Sequence, residues 1–167
     1  TGMIGALTHL IFHAVIKIAA FFCAGAIMHQ TGRQYVHELD GMGCKMPCVF
    51  GVFTVSALAL MGVPGLAGFI SKWNLASAAV ESGNGLAYGG IVCLLVSALL
   101  TAIYMFTIVI RAFFPGRNFE ISSLEGIKDP NWKMLVPLFI FTAFIIFFGL
   151  YSGPVTRFLT DVAGGVY

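Results

Sequence analysis

Three ionisable side chains recur at every fourth position of an otherwise apolar stretch near the start of the chain. They are His9, His13 and Lys17, in the run LTHLIFHAVIKIAAFF. On an α-helix a step of four residues turns about 40°, so the three side chains climb one stripe. Histidine has an ordinary pKa of about 6.5 and therefore binds and releases protons near neutral pH. The stripe predicts a row of proton-carrying groups.

The lysine of this stripe lies near the middle of its apolar segment. On translocon scales, a lysine at the centre of a membrane helix costs about 2.5–3.5 kcal/mol of insertion free energy. We therefore expect Lys17 to face protein or water rather than lipid. The alternatives are structural: a histidine that joins two helices by a hydrogen bond, and a lysine that snorkels to the membrane interface. Three such groups in register favour the functional interpretation, because intramembrane ionisable residues are functional by default.

A second intramembrane charge is predicted at Lys72, in GFISKWNL. It follows a segment in which four residues interrupt a helix, namely Gly62, Pro64, Gly65 and Gly68. A helix break inside lipid leaves carbonyls that protein or water must satisfy. We expect these carbonyls and water to tune Lys72, which can then switch between charged and neutral forms. The alternative is a lysine that snorkels beside Trp73 as an interfacial anchor.

The composition makes a membrane the expected solvent. Of 167 residues 59% are hydrophobic and 10% are charged, whereas soluble domains average about 45–50% apolar and about 25% charged residues. Such a chain cannot cover itself with a polar surface, and a net charge of +2 gives no argument for a nucleic-acid partner. Because the sequence starts at Thr1 without a signal-peptide pattern, we expect a fragment that begins close to a membrane helix.

The expected fold class is all-α and transmembrane, with four membrane-spanning regions. A crossing needs about 20 mainly apolar residues, and the regions that qualify are 3–29, 47–80, 86–113 and 134–152. The second region is too long for one straight crossing. We predict that it is a discontinuous helix with one half on each side of residues 62–66. A short tail continues from the last helix to residue 167.

Basic residues predict the orientation of the two long polar loops. One loop, 30–46, and a second, 114–133, lie on the same side of the predicted membrane. Together with the border residue of the third helix they carry Arg33, Lys45, Arg111, Arg117, Lys128 and Lys133. The opposite side has only Arg157. Since basic loops stay in the cytoplasm, we expect both loops to be cytoplasmic in a multi-pass protein of the cell (inner or plasma) membrane.

Three sequence motifs occur in an order that resembles a known family. They are HLIFHAVIKIAAFFCAGAI, ELDGMGCKMP and LALMGVPGLAGFISKWNL. They resemble the antiporter-like membrane subunits shared by complex I (NADH:quinone oxidoreductase), Mrp-type sodium/proton antiporters and membrane-bound hydrogenases. The resemblance implies about fourteen helices in two inverted five-helix repeats, each with a broken helix. Residues 1–113 would be the C-terminal part of the second repeat, 114–133 a cytoplasmic loop, and 134–167 the final helix and tail.

The resemblance also implies a function and its residues. His9, His13 and Lys17 match the family's proton relay, and Lys72 matches the lysine of the second broken helix, thought to exchange protons with the outer side. The implied protein is a proton-translocating subunit of a translocase, coupled to redox chemistry or Na⁺ exchange in partner subunits. The implied partners are other membrane subunits, the lipid bilayer and protons, with Na⁺ in the case of an Mrp-type antiporter.

Other functions remain as alternatives. A sodium/proton antiporter subunit of Mrp type is the nearest one, followed by a structural membrane anchor. A haem-binding cytochrome needs histidines that face each other across helices, but His9, His13 and His29 share one helix. No catalytic residue, cofactor site or metal site is expected, because the sequence has no glycine-rich phosphate loop, and Cys44 and Cys48 match no standard zinc spacing.

Overall fold

The computed structural model describes residues 2–116 and 120–164. Over these ranges the chain is all-helical, as predicted, with six α-helices and three short 3-10 turns and no strand. The helices are α1 (Gly2–Thr31), α2 (Pro47–Met61), α3 (Ala67–Glu81), α4 (Gly85–Phe113), α5 (Trp132–Leu150) and α6 (Gly153–Gly164). Arg117, which contributed to the predicted orientation, lies outside the described residues.

Three of these helices, α1, α4 and α5, are long and apolar enough to cross a membrane. The second predicted region is indeed discontinuous, because α2 and α3 are separated by residues 62–66. Each half has 15 residues and is about 22 Å long, which is shorter than a hydrocarbon core of about 30 Å. The two halves therefore make the fourth spanning region of the described chain only in combination.

The residues between α2 and α3 form a defined turn. Gly62 ends α2 in the left-handed region, with φ 92°. The next four residues close a β-turn in which the Leu66 N–H donates to the Val63 carbonyl at 3.3 Å. Pro64 occupies the second position and Gly65, with φ 90°, the third, which are the residues that a type II turn prefers. The proline and the two glycines thus shape the break by local backbone geometry.

Two further glycines let helix backbones meet at the break. A Cβ atom added to Gly68, in the first turn of α3, would overlap the carbonyl of Ala59 in α2. A Cβ atom added to Gly149 of α5 would overlap the backbone of Gly65 and Leu66. Close approach at small residues is the usual way in which membrane helices pack, because lipid supplies no hydrophobic driving force between them. The break is therefore enclosed by backbone on two sides.

The buried core lies where α1 packs against α2, α3 and α5. Its fully buried side chains include Phe12, Ile16, Cys23, Phe50 and Ile145. By contrast α4 packs on α2 and α3 with one side only, and its other side exposes a row of large apolar residues. An apolar surface of this kind is compatible with lipid or with other membrane helices.

Both long loops lie at the same end of the helices. The Gly41 N–H donates to the Arg111 carbonyl at 3.0 Å, and the Arg111 guanidinium lies 3.6 Å from the Asp40 carboxylate. Gln30 at the end of α1 donates to the Lys128 carbonyl at 3.1 Å. These contacts join the first loop to the end of α4 and the second loop to the end of α1. That this end is cytoplasmic stays a prediction.

The substitution Gly68→Ala tests the packing at the break. We expect it to destabilise the full-length protein by about 1–3 kcal/mol, seen as a fall of several degrees in Tm, because the added methyl group meets backbone that has no rotamer to change. The measurement is thermal unfolding of the purified protein in detergent. Gly89→Ala in α4 is the matched control, since no atom lies within 4 Å of a Cβ there. Equal Tm values for the two variants would contradict this packing.

Candidate functional site

The ammonium group of Lys72 is bound at the helix break. Its Nζ donates to the Leu60 carbonyl at 2.6 Å and to the Met61 carbonyl at 3.1 Å. Lys72 is the sixth residue of α3, and helical side chains lean towards the N-terminus of their helix, so Nζ points back to the break. The alkyl chain passes Gly62 so closely that a Cβ there would lie 3.1 Å from Cδ. The side chain is therefore fixed by α2 rather than extended to a membrane interface.

This contact completes the hydrogen bonding at the end of α2. The last four carbonyls of a helix, here Leu58–Met61, have no partner within the helix. The first two accept from the N–H groups of Gly62 and Val63 at 3.1–3.2 Å, and the last two accept from Lys72. The C-terminal end of a helix also carries about half a negative charge, which attracts an ammonium group. Lys72 thus caps α2 both by hydrogen bonds and by charge.

The opposite end of α2 is capped by a residue that the sequence analysis did not identify. The Asp129 carboxylate accepts hydrogen bonds from the N–H groups of Cys48 and Val49, both at 3.2 Å. Pro47 occupies the first helical position, where its missing N–H is no loss. A carboxylate at the N-terminus and an ammonium at the C-terminus both interact favourably with the helix dipole. The short α2 is therefore stabilised at both ends by distant side chains.

His9 connects α1 to α3 at the residue before Lys72. Its Nδ1 lies 2.9 Å from the Oγ of Ser71, which is fully buried and donates to the Gly68 carbonyl at 3.1 Å. The two helices come this close because a Cβ at Gly5 would lie only 3.3 Å from the backbone of the Asn74–Leu75 pair. Ser71 was not among the predicted site residues. A serine one position before a predicted functional lysine was the available indication.

The four predicted ionisable residues form one electrostatically coupled group. The rings of His9 and His13 are 5.5 Å apart between centroids. The charge of Lys72 interacts with both imidazoles, and the charge of Lys17 interacts with His13. Of these four side chains, however, only His9 and Lys72 form hydrogen bonds. Within residues 2–116 and 120–164 the side chains of His13 and Lys17 form none.

The three side chains of the stripe on α1 differ in exposure. Each four-residue step rotates by about 40°, so Lys17 lies about 80° around the helix from His9. His9 is half-buried against α3, His13 is exposed, and Lys17 is partly exposed beside the buried Ile16. The predicted stripe thus starts at the contact between α1 and α3, and its middle member, His13, is the most exposed of the three.

A groove with several polar side chains lies at the end of the helices opposite the two long loops. It has a volume of about 380 Å³ and is formed by α1, α3 and α6. Its polar lining consists of Asn74, Ser77, Glu81, Thr156 and Thr160. The groove also has an apolar lining, and it lies beside the C-terminal half of α3, whereas Lys72 lies in the N-terminal half.

In the described part of the chain, a metal site would need ligating side chains that lie close together. No group of three histidine, cysteine, aspartate or glutamate side chains is placed to hold a metal there. All four cysteines are free thiols. The expectation that this chain carries no cofactor stays a prediction.

The substitution Asp129→Ala tests the N-terminal cap of α2. We expect a loss of about 0.5–2 kcal/mol of stability, because two backbone N–H groups lose their acceptor. The measurement is Tm of the full-length protein in detergent. Glu125→Ala, an exposed carboxylate in the same loop, is the control and should leave Tm unchanged. A Tm for Asp129→Ala equal to that of the control would show that the carboxylate does not stabilise α2.

Comparison with known proteins places this arrangement in a family context. The family model described as NADH:quinone oxidoreductase/Mrp antiporter, transmembrane, matches residues 1–101. Subunit N of the NADH-quinone oxidoreductase of Desulforudis audaxviator is 33% identical, with 90% of this chain aligned. Subunit L of the F(420)H(2) dehydrogenase of Methanosarcina mazei is 37% identical, with 86% aligned. The chain spans only 31% and 22% of the lengths of these two relatives.

Solved structures agree with this placement. The membrane-bound sulfane sulfur reductase, an archaeal respiratory membrane complex, contains a chain that superposes with a TM-score of 0.78 at 28% identity, covering 92% of this chain and 24% of that one. The Mrp complex from Dietzia sp. DQ12-45-1b gives a TM-score of 0.78 at 20% identity, covering 94% and 36%, which supports the fold. Since the family model matches more than half of its residues, this multi-pass membrane chain belongs to the NADH:quinone oxidoreductase/Mrp antiporter transmembrane family.

Proposed function

We propose that this chain is part of a proton-translocating, antiporter-like membrane subunit of an energy-converting complex. Protons move along His9, His13, Lys17 and Lys72, and redox chemistry or Na⁺ exchange in partner subunits drives them. The observation that carries the proposal is the position of the Lys72 ammonium, bound at a helix break and within electrostatic reach of two imidazoles. Family membership and the multisubunit complexes of the relatives support it.

The hydrogen bonds of Lys72 allow it to lose a proton without disrupting the break. An ammonium group has three N–H donors, and two of them are used by the Leu60 and Met61 carbonyls. The third is the proton available for transfer. A neutral amine keeps two donors, so both carbonyls remain bonded after the proton leaves. The charge on the end of α2 changes, while its backbone stays satisfied.

Repulsion between like charges makes the transfer stepwise. Two unit charges 5.5 Å apart, the separation of the His9 and His13 rings, repel by about 3 kcal/mol at an effective dielectric constant of about 20. Loading one imidazole therefore disfavours a charge on its neighbour, and the charge on Lys72 acts on both. A proton that binds one group lowers the proton affinity of its charged neighbour. The neighbour then releases its own proton to the group after it, so the charge moves along the row.

The proposal also assigns roles to the rest of the subunit, to partner subunits and to the two sides of the membrane. The chain covers about a third or less of its relatives, so we propose that the rest of the subunit covers the exposed His13 and the partly exposed Lys17. Partner membrane subunits would supply the driving force. The loops 30–46 and 114–133 would face the cytoplasm, and the groove between α1, α3 and α6, which carries five polar side chains, would face the outer side.

A sodium/proton antiporter subunit of Mrp type is the second candidate, favoured by the fold shared with a chain of the Mrp complex. The two candidates differ in what drives proton uptake. In membrane vesicles of the native complex, proton uptake that requires Na⁺ on the opposite side identifies the antiporter. Uptake that follows electron transfer in the absence of Na⁺ identifies the redox-driven pump.

The substitution Lys17→Ala tests the relay itself. Made in the full-length protein, it should lower proton translocation at least tenfold without loss of assembly, because Lys17 makes no hydrogen bond within the described residues. The rate is measured by quenching of a pH-sensitive dye in inverted membrane vesicles, and assembly by native gel electrophoresis. Lys128→Ala, an exposed loop lysine, is the charge-matched control. Normal pumping by Lys17→Ala would refute the relay.

The substitution Lys72→Arg separates proton transfer from capping. Arginine keeps the positive charge and the donors for the end of α2, but its guanidinium stays protonated in proteins and cannot release a proton. We expect Lys72→Arg to assemble and to be more stable than Lys72→Ala, yet to lose proton translocation. If Lys72 only caps α2, Lys72→Arg pumps normally, which is the opposite result. Vesicle pumping assays and Tm measurements on both variants decide the question.

A further inference from the structure

We propose that Ser71 is a positioning residue for proton transfer: its buried hydroxyl holds neutral His9 in the Nδ1–H tautomer, so that Nε2 is the nitrogen that binds and releases the proton. This inference rests on the proposed function, because it assigns a role within the same group of residues. Ser71 itself carries no transferable proton in this proposal. It acts through His9.

The assignment follows from the single proton of the hydroxyl group. Ser71 Oγ lies 3.1 Å from the Gly68 carbonyl and 2.9 Å from His9 Nδ1. A carbonyl oxygen can only accept, so the hydroxyl proton of Ser71 is directed to Gly68. The contact with His9 is then a hydrogen bond only if Nδ1 carries a proton and donates it to Oγ. Both contacts are satisfied together in one tautomer of His9.

Burial makes this constraint effective. Ser71 has no accessible surface, whereas an exposed hydroxyl would exchange its partners with water. The close approach of Gly5 to the Asn74–Leu75 backbone holds α1 against α3 within one turn of this bond. Gly68, the acceptor residue, is itself fixed against Ala59 of α2. The hydroxyl therefore has little freedom to rotate towards another acceptor.

The tautomer determines which nitrogen of His9 exchanges the proton. In neutral His9 the lone pair is on Nε2, so the proton arrives there and leaves from there, while the Nδ1–H bond to Ser71 persists in both charge states. The charged groups that interact with His9 are His13 on the same helix and Lys72 on α3, and Lys17 interacts through His13. Ser71 precedes Lys72 directly, so the same turn of α3 orients His9 and holds the ammonium at the break.

The first test measures the tautomer in the full-length protein in lipid. Solid-state NMR of the ¹⁵N-histidine-labelled protein distinguishes protonated from unprotonated Nδ1, and the difference from a His9→Gln sample assigns the His9 signals. We expect neutral His9 to be protonated on Nδ1, and Ser71→Ala to remove this preference. Neutral His9 protonated on Nε2 in the parent protein would overturn the proposal, and so would a spectrum that Ser71→Ala leaves unchanged.

The second test measures transport in the same variants. Ser71→Ala should lower the rate of proton translocation roughly fivefold, the scale of one lost hydrogen bond, and Ser71→Thr should restore both the tautomer and the rate. Ser97→Ala, an exposed serine of α4, is the control. An altered tautomer with an unchanged rate would refute the role of Ser71. Normal pumping by the Lys17 and Lys72 variants would instead refute the proposed function, and it would leave the tautomer assignment standing.

Discussion

A helix that breaks inside a membrane must still satisfy its backbone, and this constraint governs the centre of the molecule. Lipid offers no hydrogen bonds, and each unpaired carbonyl there costs several kcal/mol. The end of α2 is completed by the turn at residues 62–66 and by the ammonium of Lys72. Its beginning is completed by the carboxylate of Asp129. Helix α2 thus has a cation at the end that meets the break and an anion at its opposite end.

The same residue that satisfies the backbone also carries the charge proposed to move. Capping and proton transfer are compatible because the two carbonyls need two donors and a lysine offers three when charged and two when neutral. A change in the charge of Lys72 alters its attraction to the negative end of α2 and its repulsion of His9 and His13. In the proposed function, the protonation of Lys72 would therefore be linked to how firmly the two halves of the broken helix are held together.

Backbone contact at glycine brings these groups within reach. Gly68 meets α2, Gly149 of α5 meets the turn, and Gly5 brings α1 onto α3. Larger residues at these positions would separate the helices and lengthen the contacts of His9 and Lys72 beyond hydrogen-bonding distance. The opposite end of the stripe differs, since Lys17 is partly exposed and its side chain forms no hydrogen bond within the described residues. His9 and Lys17 are about 80° apart around the axis of α1.

By itself the sequence determined the features that depend on local order along the chain. Apolar length gave the all-α fold and the spanning regions, and proline with glycine located the break, because both act through the conformation of neighbouring residues. The four-residue spacing placed His9, His13 and Lys17 on one stripe. Tertiary structure alone decided the partners. Lys72 meets carbonyls 11 and 12 residues earlier, His9 meets Ser71 across 62 residues, and Asp129 reaches α2 across 80 and 81. Such pairs depend on how whole helices pack, and a spacing pattern within one helix contains no information about which helix lies opposite.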